Sequence, residues 1–191
     1  MHSTIRPRHP LRILFSELVH RNLTHQLRLS APGVSEYIAG LLVDFTVTEN
    51  LYCIRDARGR RLEDVGEMLI ASNPMLEGRS FDYERLVRKH IGDYTLFLTG
   101  LFPEYVARLP RRQVRLDAFV DYMKAGKESY GVVAAFNQFE YSREAPLFAA
   151  LSDQFELCVF GLNQVKNDLK MLQRGYYQSL HDILECASQS T

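Results

Sequence analysis

The sequence has no excess charge of either sign. Its 191 residues include 23 lysines and arginines and 23 aspartates and glutamates, so the formal net charge is zero. Proteins that bind nucleic acids usually carry a basic excess, overall or over one face. Two connecting segments, residues 55–61 and 108–115, hold four arginines each. Arginines in such segments are usually solvated, and no aromatic residues that could stack on bases alternate with them. We therefore do not expect a nucleic-acid partner.

Long apolar runs are also absent. The best candidate for a membrane span, residues 37–43, is interrupted by Gly40 and falls far short of the roughly 20 apolar residues required. The N-terminal segment MHSTIRPRHPLRILF is basic but lacks the apolar stretch of a signal peptide. The three cysteines, Cys53, Cys158 and Cys186, form no CxxC pair, which argues against a disulfide framework and a zinc site. We expect a soluble, cytoplasmic protein without membrane insertion.

The common cofactor and catalytic motifs are missing as well. The sequence contains no glycine-rich phosphate loop of the GxGxxG or GxxxxGK type and no GxSxG nucleophile motif. One ExxH pair, Glu17 and His20, has the spacing found in di-iron helical bundles. Those sites need a second such pair and two further glutamates, and the sequence has no second ExxH. We therefore predict neither a cofactor nor a metal site.

Helical periodicity dominates what the sequence does contain. Apolar residues recur at spacings of three and four along most of the chain, and no alternating run of β-branched residues predicts a strand. The pattern predicts an all-α protein: a single-domain bundle of six or seven helices over residues 10–191, preceded by a flexible arm over residues 1–9. The predicted helices cover about residues 10–27, 34–48, 62–71, 82–101, 116–136, 148–172 and 176–187.

One apolar seam is more regular than any other pattern in the sequence. Eight positions follow each other at alternating spacings of three and four residues: Phe148, Leu151, Phe155, Cys158, Leu162, Val165, Leu169 and Leu172. Such a heptad pattern is typical of one long bundle helix or of a coiled coil. An apolar face of this length can exceed what one small bundle covers, so it suggests a second chain.

His90 is the polar residue with the clearest functional potential. It lies on the apolar face of its predicted helix, with Asp93 three and Tyr94 four residues further on, so the three side chains can be neighbours. A carboxylate beside an imidazole can orient a general base or support a metal-ligating histidine. The alternative is a histidine at the edge of the core whose polar partners serve stability alone. We take His90, Asp93, Tyr94, Tyr122 and Tyr130 as candidate ligand-pocket residues.

A resemblance rests on the helix that contains His90. The run from His90 to Glu104, HIGDYTLFLTGLFPE, is followed by a helix rich in tyrosine and glycine, Asp121 to Gly131. Together they resemble an uncharacterised family of bacterial helical proteins that shares a GD…LFxxGLFPE helix and a second helix of this kind. The similarity covers roughly residues 34–165, and GLFPE is its most specific part. It implies a bacterial, helical protein and no particular activity.

Small residues on these two helices predict that the helices cross closely. Gly92 and Gly100 fall on one face of the first helix, and Gly126 lies on the second. Because glycine has no Cβ, two backbones can approach each other at such positions. The crossing is expected to hold either a ligand pocket or tight packing, with polar side chains such as Asp93 and Tyr122 hydrogen-bonded around it.

Two functions from different classes remain open. The first is a non-enzymatic helical-bundle protein that acts through protein–protein contacts, as a homodimer or with another partner, and the long seam favours it. The second is a small-molecule, haem or metal-binding helical protein, enzymatic or not, with a site around His90 and Asp93. The second function predicts a cavity where the two glycine-bearing helices cross.

Overall fold

The computed structural model describes residues 9–56, 58–75, 80–108 and 118–188. The described residues are 77% helical and contain no strand, only an isolated bridge between Arg55 and Arg61. This confirms the all-α class. The helices are α1 (Pro10–Val19), α2 (Val34–Asp44), α3 (Thr48–Leu51), α4 (Val65–Ala71), α5 (Phe81–Leu101), α6 (Pro103–Arg108), α7 (Ala118–Ala135), α8 (Ala145–Asp153) and α9 (Phe155–Ser188). A π-helical segment, His20–Gln26, continues α1, and a 3-10 helix, Phe139–Arg143, precedes α8.

Local signals place the start of α1 and both ends of α5 close to where the sequence predicts them. The N-terminal arm lies outside the described residues except for His9, whose Nδ1 accepts a hydrogen bond from the Leu11 N–H and so caps α1. Helix α5 begins at Phe81, one residue before the predicted start at 82, because the hydroxyl of Ser80 caps it by accepting from the Tyr83 N–H. The helix ends before Pro103, which begins α6.

Helix α5 is the central element of the bundle. Every residue from His90 to Leu101 is buried, polar ones included, so the second half of the helix is enclosed on all sides. Helices α7 and α9 make the most extensive contacts with α5, and α2 and α4 also contact it. A helix that is buried all round occupies the middle of a core rather than its edge.

The crossing of α5 and α7 is tightly packed at its glycines. A Cβ atom on Gly92 would lie 2.4 Å from Cε1 of Tyr130, and one on Gly126 would lie 2.2 Å from Oγ1 of Thr95. A larger residue at either position would therefore force its neighbours to shift. The sequence left open whether this crossing held a ligand pocket or tight packing, and the structure shows tight packing. The packing at these glycines therefore gives no support to the cavity predicted at this crossing, and the cavity described below is a different one, between α2 and α5.

The long seam is divided between two helices. Helix α8 ends at Asp153, and its axis meets that of α9 at 78°. Helix α8 packs against α7, whereas α9 packs against α5, so the break lets consecutive parts of one seam cover different neighbours. The prediction of a single helix over 148–172 is therefore wrong. No single described helix is long and apolar enough to cross a membrane, and the pair formed by α8 and residues 155–173 has the required length and composition only across this bend.

The chain's own helices cover most of the seam. Its first six positions, from Phe148 to Val165, are buried, whereas Leu172 is 53% exposed. Helix α9 then continues through Gly175, where the sequence predicts a break. The six buried positions thus give no reason to expect a second chain.

Candidate functional site

A cavity of about 720 Å³ lies between α2 and α5. Sites for small molecules in proteins usually measure about 300–1,000 Å³. Helix α2 contributes Glu36, Tyr37, Gly40, Leu41, Asp44 and Phe45, helix α5 contributes Asp82, Arg85, Leu86, Lys89, His90 and Asp93, and Asn50, Cys53 and Tyr141 complete the lining. We call this space the α2–α5 cavity. Its lining combines apolar side chains with acidic, basic and thiol groups.

Asp93 is the centre of a hydrogen-bond network at the inner end of this lining. Its Oδ1 accepts from the hydroxyl of Tyr37 at 2.6 Å and from the hydroxyl of Tyr130 at 2.8 Å. Its Oδ2 accepts from the ammonium of Lys89, one turn earlier, at 2.9 Å. Because Tyr37 lies on α2 and Tyr130 on α7, one carboxylate joins three helices. The Asp93 side chain is only 8% exposed, so these hydrogen bonds replace its contact with water.

The environment of Asp93 also determines the ionisation of the two tyrosines. Burial, and then the charge of Asp93, raises the pKa of Tyr37 and of Tyr130 well above that of an exposed tyrosine. Both hydroxyls therefore keep their protons at neutral pH and act as donors to the carboxylate. Their hydrogen bonds to Asp93 are accordingly stable across the physiological range of pH.

These raised pKa values predict a loss of stability in alkali. Above about pH 10 the tyrosines of the unfolded chain lose protons that Tyr37 and Tyr130 keep in the folded state, so the free energy of unfolding falls as the pH rises. Urea unfolding between about pH 8 and pH 11 should show this slope. In the variant Tyr37→Phe/Tyr130→Phe the free energy of unfolding should fall less steeply with pH. An unchanged slope would contradict the assignment of this pH dependence to the two tyrosines.

His90 pairs with a cysteine from a distant loop. The Sγ atom of Cys53 lies 3.4 Å from Nδ1 of His90, which is hydrogen-bonding distance for sulfur. The imidazole is 6% exposed, and the rings of Phe45 and Tyr94 pack on it at centroid distances of 5.9 and 6.0 Å. Burial raises the pKa of the Cys53 thiol. The resting pair is therefore a neutral thiol beside an imidazole.

Two basic residues of α5 lie further along the same cavity wall. The guanidinium of Arg85 stacks on the ring of Tyr141 at 3.9 Å and donates to the carboxylate of Glu144 at 2.7 Å. The Lys89 ammonium lies 5.1 Å from the centroid of the Tyr37 ring, in addition to its bond with Asp93. Stacking and ion pairing fix both side chains in position.

Of the candidate residues inferred from the sequence, some line or support the α2–α5 cavity and others do not. His90 and Asp93 line the α2–α5 cavity, and Tyr130 supports Asp93 from the side of α7. Tyr94 packs behind His90 and donates to the carbonyl of Glu63 at 3.2 Å, so it does not line the cavity. Tyr122 does not line it either. Burial raises the pKa of both Tyr94 and Tyr122, which therefore remain neutral phenols.

Sequence reasoning missed Tyr37, Cys53, Arg85 and Lys89. Except for Lys89, their main partners lie in distant parts of the chain: Tyr37 and Asp93 are 56 residues apart, and Cys53 and His90 are 37 residues apart. Lys89 alone carried a local signal, because it stands four residues before Asp93, the spacing of an ion pair on one helix face. Sequence spacing does not predict the partners of the other three residues.

The described residues contain no group of three or more histidine, cysteine or acidic side chains that could hold a metal ion. Comparisons with protein-family models, curated proteins and solved structures found no match.

Proposed function

We propose that the protein binds a small organic molecule in the α2–α5 cavity. The observation that carries the proposal is the cavity of about 720 Å³, into which α2 and α5 bring polar groups of several kinds. Ligand sites typically combine apolar walls with a few polar groups that fix the orientation of the ligand. Leu41, Phe45 and Leu86 supply such walls here, and His90 and Lys89 supply the polar groups.

The side chains around the cavity are held in place before any ligand arrives. Asp93 is hydrogen-bonded to two tyrosines and a lysine, and aromatic rings on two sides restrain His90. A preorganised site loses little side-chain entropy when it binds, which favours affinity for a small ligand. Tight packing of the core alone does not require an open space of this size beside a buried carboxylate.

The carboxylates exceed the basic groups along the lining. Glu36, Asp44, Asp82 and Asp93 face Arg85 and Lys89, and the two basic side chains already pair with carboxylates. A ligand would therefore meet hydrogen-bond acceptors at the rim and one partly engaged ammonium, that of Lys89, further in. This favours a polar ligand over a purely hydrocarbon one.

The partner-binding function, including a homodimer, stays a prediction, with weaker support than the sequence suggested. The seam that motivated it is mostly covered by the chain itself, but Phe160, Met171 and Leu172 remain about half exposed or more on α9. Sedimentation over a range of protein concentrations tests it, since a dimer would give a mass that rises with concentration.

Filling the cavity should weaken small-molecule binding without unfolding the protein. Gly40 lines the cavity, and a Cβ atom built on it meets no atom within 4 Å, so Gly40→Leu places a side chain in open space. Native mass spectrometry of the purified protein would detect a co-purified ligand or haem, and a fragment screen by ligand-observed NMR would find others. Every ligand of the cavity should lose at least about tenfold in affinity in Gly40→Leu.

Gly40→Ala is the matched control, because it changes the same position and adds only a methyl group to the open space. It should keep most of the binding. Ligands that bind Gly40→Leu as tightly as the natural protein would place their site elsewhere, and a screen without any ligand would refute the proposal.

A further inference from the structure

Cys53 and His90 have the geometry of a nucleophile and its base. A cysteine or serine nucleophile in an enzyme is usually activated by an imidazole within hydrogen-bonding distance. Here Sγ and Nδ1 are 3.4 Å apart, and both residues line the α2–α5 cavity. A neutral imidazole whose proton is on Nε2 presents Nδ1 as the acceptor for the thiol proton. The pair is therefore placed where a bound molecule can reach the sulfur.

We infer that Cys53 is a nucleophile, with His90 as its general base, that accepts an acyl group from an ester bound in the α2–α5 cavity. The inference rests on the proposed function, because the cavity has to admit a small molecule. It adds a reaction and a substrate class to that function.

The reaction balances with the groups that the cavity provides. The Cys53 sulfur forms a bond to the acyl carbon while its proton moves to Nδ1 of His90. The carbon–oxygen bond of the ester then breaks, and the imidazolium returns the proton to the departing alkoxide. The product is a thioester on Cys53, which water hydrolyses with His90 again as the base, releasing the acid and the free thiol.

Lys89 supplies a positive charge on the same cavity wall as His90. Negative charge develops on the carbonyl oxygen when the sulfur attacks, and a fixed donor stabilises it. The Lys89 ammonium has three N–H groups and gives one to Asp93, and its side chain is 36% exposed. Its other two N–H groups can stabilise this charge.

The burial of Cys53 makes the inference unusually easy to test. Burial raises the pKa of this thiol, so on its own it would form less thiolate and react more slowly than a free thiol in water. An acceptor for its proton at the moment of attack reverses that order, and binding of the ester next to the sulfur adds to the rate. A fast reaction at Cys53 would therefore report the cavity and His90 rather than exposure of the thiol.

The experiment uses p-nitrophenyl acetate, an activated ester, with the full-length protein at neutral pH. Release of p-nitrophenolate gives the rate, and peptide mass spectrometry identifies the acetylated cysteine. We expect Cys53 to be acetylated at least about tenfold faster than N-acetylcysteine under the same conditions, in line with general-base catalysis. Acetylation of Cys53 at or below the rate of N-acetylcysteine overturns the inference, and this comparison needs no variant.

Three variants separate the roles. Cys53→Ser should abolish the rapid release of p-nitrophenolate. His90→Gln should slow this release at least about tenfold, whereas His20→Gln, which changes a histidine outside the cavity, should leave the rate unchanged. An equal rate in a folded His90→Gln variant would remove the base from the scheme. Non-covalent ligands that bind without any acetylation of Cys53 would leave the proposed function in place and overturn only this reaction.

Discussion

Gly92→Ala is expected to destabilise the protein by about 3 kcal/mol, although alanine is the better helix former. The added Cβ would lie 2.4, 2.5 and 2.9 Å from three atoms of the Tyr130 ring. That ring has no freedom to move, because it is completely buried, packs on Phe148 and Phe155, and is bonded through its hydroxyl to Asp93. Helix α5 or α7 must therefore shift.

The size of the effect follows from three contributions. Overpacking a dense core costs about 1–3 kcal/mol. Displacing Tyr130 weakens its hydrogen bond to a buried carboxylate, which costs about 1–3 kcal/mol more. Replacing glycine by alanine within a helix stabilises the helix by about 1 kcal/mol. Urea unfolding followed by circular dichroism measures the sum.

Gly40→Ala makes the same change on another helix and should have the opposite sign. Its Cβ meets no atom within 4 Å, so the gain in helix propensity, about 1 kcal/mol, remains unopposed. A second control is the pair Gly92→Ala/Tyr130→Leu, in which the smaller side chain makes room for the methyl group. The two changes should be less harmful together than their separate effects predict. Equal destabilisation by Gly92→Ala and Gly40→Ala would show that the α5–α7 contact is not the cause.

The sequence predicts the helices and their close crossing because both depend on local patterns. Periodicity of three and four locates α5 and α7 within a few residues, and glycines on facing sides indicate a close approach. The end of α8 at Asp153 carries no such signal, because the spacing of apolar residues continues unchanged through the break. A bend of 78° between α8 and α9 reorients the seam without altering its period.

The candidate site could be predicted only in part for a related reason. His90 and Asp93 stand on one helix, where spacing relates them directly. Cys53 lies in an irregular segment after α3, and its approach to His90 depends on how α2 and α5 pack against each other. The cavity has the same origin, since it is a gap between two helices rather than a property of either. Sequence periodicity describes each helix separately and contains no information about such gaps.

Asp93→Leu is expected to cost about 4 kcal/mol of stability and to disturb the α2–α5 cavity as well. Leucine has no acceptor for the hydroxyls of Tyr37 and Tyr130, which donate to Oδ1 at 2.6 and 2.8 Å. Each buried hydroxyl left without a partner costs about 1–3 kcal/mol. The Lys89 side chain is 36% exposed and can turn towards water, so we assign no further loss to it.

Removing the donors together with the acceptor distinguishes this explanation from a loss of packing. In Asp93→Leu/Tyr37→Phe/Tyr130→Phe no hydroxyl remains to be satisfied, and replacing both partners of a hydrogen bond by apolar groups of similar shape is often nearly neutral. The triple variant should therefore recover most of the stability lost in Asp93→Leu, as measured by urea unfolding. Asp93→Asn, which keeps one acceptor oxygen, should be milder than Asp93→Leu. A triple variant as unstable as Asp93→Leu would mean that the carboxylate stabilises the fold by filling space, and that α2, α5 and α7 are held together by their apolar contacts alone.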